Sequence, residues 1–176
     1  MSYYRRRFRE KVVQHRSRLR RFLTKIENNP PKNLDLQMTL IEPEVWRDVN
    51  CTACANCCRT MTPTYTFKDL QRISKHLNMT ISQFKAKWLY KNREGEWMNV
   101  LTPCQFLDKK TNLCTIYDVR PADCAEFPHL NKRKTTEYIH IHHQNVQHCP
   151  ATFMMVEKLI DRISGARVIV EPSHLL

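Results

Sequence analysis

A small, mostly α, loop-rich fold with a basic N-terminal helix is predicted by three observations on the 176-residue sequence. Apolar residues recur at helical spacing in four separated stretches. Between them lie segments without periodicity, punctuated by cysteines, of which the chain has eight. The charge is uneven: residues 1–25 carry ten Lys/Arg against Glu10 alone, so +9 of the net +12 sits in one segment. The length suits one domain of roughly 100–200 residues with an arm. Two regions are expected: a basic helical arm and linker over 1–46, and a cysteine-bearing domain with a C-terminal helix over 47–176.

Each element follows from its residues. Tyr4, Phe8, Val12, Leu19, Phe22, Leu23 and Ile26 make a helical stripe in the arm, which Pro30-Pro31 ends. The prolines and polar residues of 28–46 predict a linker. Thr66 suits an N-cap for a helix with Phe67, Leu70, Ile73 and Leu77 on one face. Thr80 or Ser82 starts another, with Phe84, Trp88 and Leu89 inward. Gly95 marks a turn into a short strand around 97–101, and 103–128 is irregular. The alternation of Tyr138, His140 and His142 with Ile139 and Ile141 predicts a strand. A last helix spans about 151–163, with Gly165 where a C-terminal cap belongs. Trp46, Trp88 and Trp97 are expected in the core.

Composition excludes several classes. Gly95 and Gly165 are the sole glycines, so Gly-rich phosphate loops and dinucleotide fingerprints are ruled out. No apolar run of about 18 residues exists to span a membrane. The arm lacks the continuous apolar stretch of a secretory signal, which points to a cytoplasmic, reducing compartment. Its charge suits an acidic partner, a protein or nucleic acid, engaged through residues 1–25.

The cysteines carry the chemistry. Cys51, Cys54, Cys57 and Cys58 form C-x2-C-x2-C-C, and Cys104, Cys114, Cys124 and Cys149 follow. Thiolates three residues apart converge on one metal from a turn, and soft sulfur selects zinc, iron–sulfur clusters or cuprous copper. Adjacent Cys57 and Cys58 would close a small strained ring on a single ion, so they more easily serve different metals or different irons. C-x2-C-x2-C opens the bacterial ferredoxin run, although Cys58 departs from its continuation. A zinc ribbon would show two separate C-x2-C knuckles, and this chain has one cluster. The expected cofactor is therefore an iron–sulfur cluster or Zn2+, with iron–sulfur preferred. The eight cysteines suit two four-thiolate sites, with the partition open.

CTACANCC at 51–58, TPCQFL at 102–107 and CTIYDVRPADCAEFP at 114–128 together resemble the zinc- or iron-chelating cysteine-cluster family of the YkgJ type. TFKDLQRIS at 66–74 also resembles that family's segment after the cluster. The resemblance covers about 48–150 and implies cysteine-bound metal. A similar domain is associated with flagellin lysine N-methylation, which makes an accessory to a side-chain-modifying enzyme one alternative. A structural-zinc interaction module is the other. The preferred function is a metal-binding, iron–sulfur protein in electron transfer or protein maturation. Ala125 stands where the family often carries a basic residue.

Arg120 is a candidate to hydrogen-bond metal-bound thiolates or an anion, against the plainer reading of an ion pair with Asp118 or Asp123. His129, His140, His142, His143 and His148 cluster in sequence, with His148 beside Cys149 as an alternative ligand or proton handler.

Overall fold

The computed structural model describes residues 3–130, 132 and 134–165. It is mostly helical, and it divides into two compact units: Met1–Cys54 with Pro128–Leu176, and Ala55–Phe127.

The first unit is helical. Helix α1 (Tyr3–Asn28) buries Phe8, Val12, Leu19, Leu23 and Ile26 and leaves Arg6, Arg9, Arg16, Arg20 and Lys25 exposed. Residues 28–46, expected as a linker, instead hold most of α2 (Leu34–Asp48). The reason is a stripe of Leu34, Met38, Ile41 and Val45, all buried, whose burial outweighs the interior Pro43. Helix α3 (Cys51–Cys54) is a single turn, and Asn50 Oδ1 caps it by accepting from the Thr52 and Ala53 N–H groups.

The expected strand at 138–143 is a helix: a 3-10 turn (Thr135–Tyr138) leads into α8 (Ile139–Asn145). Its buried residues are Ile139, His142 and Asn145, spaced by three, and that spacing wins over the alternation. Helix α9 (Pro150–Ser164) ends at Gly165, whose φ of 62° is the left-handed cap expected there. Helices α1, α2 and α8 pack on α9, with the Phe8 and Phe153 rings edge-to-face at 5.7 Å. Lys158 and Arg162 both pair with Glu44 across α2 and α9.

The second unit begins with α4 (Asn56–Thr60) and β1 (Thr64–Tyr65). Helices α5 (Phe67–His76) and α6 (Ile81–Trp88) follow, then β2 (Leu89–Lys91) and β3 (Trp97–Asn99). The sheet is antiparallel in the order β1-β3-β2, pairing Tyr65 with Trp97 and Tyr90 with Met98. Residues 103–128 are mostly loop, with a 3-10 turn (Tyr117–Val119) and α7 (Ala122–Glu126). The core is Tyr65, Leu70, Ile73, Phe84, Leu89, Phe106 and Ile116. Phe84 lies among the rings of Tyr65, Trp88 and Phe106. Trp88 and Trp97 are half-buried against this core, whereas Trp46 of the first unit is exposed and bonds Glu42.

Both expected caps form. Thr66 and Thr80 each build a reciprocal capping box, with Asp69 and Gln83. Replacing Thr80 by Ala removes the acceptor for the Gln83 N–H and is expected to cost about 1 kcal/mol, read as a lower urea midpoint. No helix among the described residues is long and apolar enough to cross a membrane.

Candidate metal centre

None of the eight cysteines is in a disulfide, and they fall in both units. The Ala55–Phe127 unit carries five of them, Cys57, Cys58, Cys104, Cys114 and Cys124, on segments joined by backbone contacts. Helix α4 carries Cys57 and Cys58, whose sulfurs are 4.0 Å apart. Ala55, in the left-handed region at φ 46°, separates α3 from α4 and lets the Cys-rich run turn. The Cys104 N–H donates to the Cys58 carbonyl at 2.8 Å. Cys114 bridges Leu107, and the Thr115 N–H donates to the Phe106 carbonyl at 2.8 Å, so the 104–115 loop closes on itself. Cys124 lies on α7, which two carboxylates pin. Asp123 accepts from the Thr64 N–H at 3.0 Å, and Asp69 accepts from the Ala122 N–H at 3.0 Å.

Electrostatics agree with this placement. Burial raises the Cys104, Cys114 and Cys124 thiols, and the charge of Cys58 raises each further. Cys58 itself is pulled down to about 7, first by its hydrogen bond with Cys57 and also by Arg59. A cation among such thiols reverses both the burial penalty and the mutual repulsion. Among the described residues no group of three or more His, Cys, Asp or Glu side chains is placed to hold a metal ion. An all-sulfur donor set fits zinc or iron.

Polar groups stand ready for thiolate charge. The Asn99 side-chain amide donates to Cys104 Sγ at 3.5 Å. Its oxygen is held by the Tyr65 hydroxyl at 2.6 Å and the Gln105 amide at 2.9 Å, which leaves the NH2 for sulfur. The Phe106 and Ile116 N–H groups bond Cys104 and Cys114. Arg120 stacks on Tyr117 at 3.9 Å and donates to its carbonyl at 2.7 Å, and its charge favours the Cys114 thiolate.

Sequence reasoning missed Asp69, Arg72 and Asn99. Asp69 is 1% exposed and accepts from the Thr66 N–H and hydroxyl, the Ala122 N–H and the Arg72 guanidinium. Arg72 also donates to the Val119 and Arg120 carbonyls, tying α5 to the segment between Cys114 and Cys124. The Thr66-x-x-Asp69 capping box was a visible signal for Asp69. Nothing local in sequence marks Asn99.

The first unit holds Cys51, Cys54 and Cys149. Cys51 is exposed and Cys54 buried, both on α3. Cys149 sits at the N-cap of α9, and burial pushes its thiol up to about 12, with the charge of Cys51 adding to this. His140 is exposed, whereas His142 is 1% exposed, and neither of its ring nitrogens has a hydrogen bond. Burial, with the charges of His129, His140 and His143, pushes His142 down to about 4. A histidine neutral in the fold contributes stability that is present above its unfolded value near 6.5 and lost as pH falls toward 4. The loss is on the order of 3 kcal/mol at 1.36 kcal/mol per pH unit. His142→Leu is expected to flatten that slope in urea unfolding between those two pH values.

Short helices and loops that carry eight cysteines in a small helical chain fit the class of cysteine-cluster domains. The family described as CxxCxxCC, a "putative zinc- or iron-chelating domain", matches residues 50–150, and the chain belongs to it. An uncharacterized protein of Methanocaldococcus jannaschii is 37% identical over 82 residues, covering 46% of this chain. The match spans 44% of that relative's length. No solved structure matches the chain.

Proposed function

We propose that the chain is a cysteine-ligated iron–sulfur protein serving one-electron transfer or the maturation of another protein. The proposed ligands are Cys51, Cys54, Cys57, Cys58, Cys104, Cys114, Cys124 and Cys149. The observation that carries this reading is the set of N–H donors turned to sulfur, from Asn99 and Phe106 at Cys104 and from Ile116 at Cys114. When bound, an iron–sulfur cluster supplies one-electron redox chemistry, and hydrogen bonds to sulfur and solvent exposure set its potential. Asn99 supplies such a bond at Cys104, and Arg120 offsets negative charge at Cys114. The exposed arginines of α1 support docking on an acidic protein partner.

Anaerobic purification tests the reading. It expects a coloured protein absorbing near about 400 nm, with iron and acid-labile sulfide in matching amounts. A colourless protein holding stoichiometric zinc replaces it with a structural-zinc interaction module.

A further inference from the structure

We propose that the face of α1 along Arg9, Val13, Arg16 and Arg20 is a docking surface for an acidic α-helix of a partner protein, one that carries Asp or Glu along one side around a central apolar residue. This rests on the reading that α1 docks on an acidic protein partner, and it names the shape and chemistry of what docks. The metal plays no part in it.

The buried stripe of α1 fixes the surface. Phe8, Val12, Leu19, Leu23 and Ile26 are buried, and α1 packs on α8 and α9. Arg9, Val13, Arg16 and Arg20 are all exposed, and they are spaced by four, three and four residues. That spacing puts them on one stripe along the helix axis. From Arg9 to Arg20 the stripe runs roughly 16 Å at 1.5 Å per residue. It follows a seven-residue repeat, the register in which a second helix lies alongside at a small crossing angle.

The charge on this stripe is unanswered within the protein. Among the described residues Arg6 pairs with Glu10 and Arg18 with Glu157, and none of Arg9, Arg16, Arg20 or Arg21 is in an ion pair. Residues 11–26 contain no Asp or Glu. Guanidinium forks take a carboxylate by two parallel hydrogen bonds, so a row of Asp or Glu answers a row of Arg in both charge and geometry.

Val13 selects the class of partner. At 77% exposure it is the most exposed large apolar side chain among the described residues, and it stands in the stripe between Arg9 and Arg16. An apolar centre within a charged rim is the arrangement of a protein–protein interface, and the aliphatic stems of the arginines widen that centre. A phosphate backbone answers the arginines and gives Val13 nothing to pack on. A membrane surface does not fit, because the apolar stripe that α1 would turn to lipid is already buried in the first unit.

The test uses the full chain and three labelled probes read by fluorescence anisotropy: a helical peptide of about 20 residues with Glu along one side and Leu at its centre, poly-L-glutamate, and a double-stranded DNA oligonucleotide. Phosphatidylserine vesicles are added as a co-sedimentation arm. The helical peptide is expected to bind most tightly. Combining Arg9→Gln, Arg16→Gln and Arg20→Gln is expected to weaken it roughly tenfold. Val13→Lys is expected to weaken it as well, although it adds a positive charge. Glutamine is a good helix former, so helical circular dichroism and metal content should stay unchanged in the triple variant. Poly-L-glutamate binding as tightly as the peptide, with Val13→Lys strengthening both, overturns the helical partner and leaves acidic docking standing. Peptide and poly-L-glutamate binding that is absent, or that ignores the triple substitution, overturns both. Tightest binding to DNA or to vesicles, strengthened by Val13→Lys, also overturns both and assigns the face to phosphate.

Discussion

Removing the metal with a chelator is expected to abolish cooperative unfolding of the Ala55–Phe127 unit. Its core is a single cluster led by Phe84, its strands are two or three residues long, and 103–128 is mostly loop. A core of that size rarely stabilises a small domain by itself, and metal serves as the staple. Structural zinc in small domains binds with about 10–16 kcal/mol, which equals or exceeds the ~5–15 kcal/mol stability of a whole domain. Tryptophan fluorescence reads this unit directly in a Trp46→Phe background, because Trp88 and Trp97 both pack on its core. A sharp transition with metal and a broad, non-cooperative one after chelation is the expected pair of curves. A chelated chain that keeps its sharp transition refutes the organising role.

Asp69→Ala is expected to cost about 1–3 kcal/mol, the usual penalty for leaving a buried hydrogen-bonding group unsatisfied, since Arg72 is 42% exposed and water can take up its charge. The carboxylate is surrounded by donors: the Thr66 N–H and hydroxyl, the Ala122 N–H and the Arg72 guanidinium. Without it the Ala122 N–H loses its partner and Arg72 loses the salt bridge that aims it at Val119 and Arg120. Cys124 then loses one of its two anchors, so metal affinity falls together with stability. Burial works against the Asp69 charge, but the Thr66, Ala122 and Arg72 hydrogen bonds win and hold its pKa below the ordinary value. The stabilisation is therefore complete above the unfolded value near 3.9 and is lost as pH falls through the lower folded one. Urea unfolding should show the deficit of the variant at neutral pH and its disappearance in strong acid. A deficit that persists in strong acid would assign the loss to packing instead.

Legibility in the sequence followed the physics of each element. Helices α1, α5, α6 and α9 were readable because their buried stripes run at helical period, and their caps at Thr66, Thr80 and Gly165 use side chains with local signatures. Helix α2 was hidden because Pro43 sits inside it, and a local breaker signal masked a stripe whose worth comes from tertiary burial on α9. Helix α8 was misread because a short run of Tyr, Ile and His fits both periods, and only the burial of His142 and Asn145 decides between them. The thiols were evident from their spacing. Their surroundings were not: Asn99 reaches Cys104 through a turn, and Asp69 reaches Ala122 across 53 residues of chain. Such contacts come from topology, which local patterning does not encode.

X-ray absorption at the metal edge of the purified full chain tests the account most directly, because it reads the donor atoms themselves. A first shell of sulfur alone, near 2.3 Å if the ion is zinc, is the result expected of thiolates closing on the metal. A first shell dominated by nitrogen or oxygen near about 2.0–2.1 Å would contradict it, since histidine or carboxylate would then hold the ion in place of the cysteines.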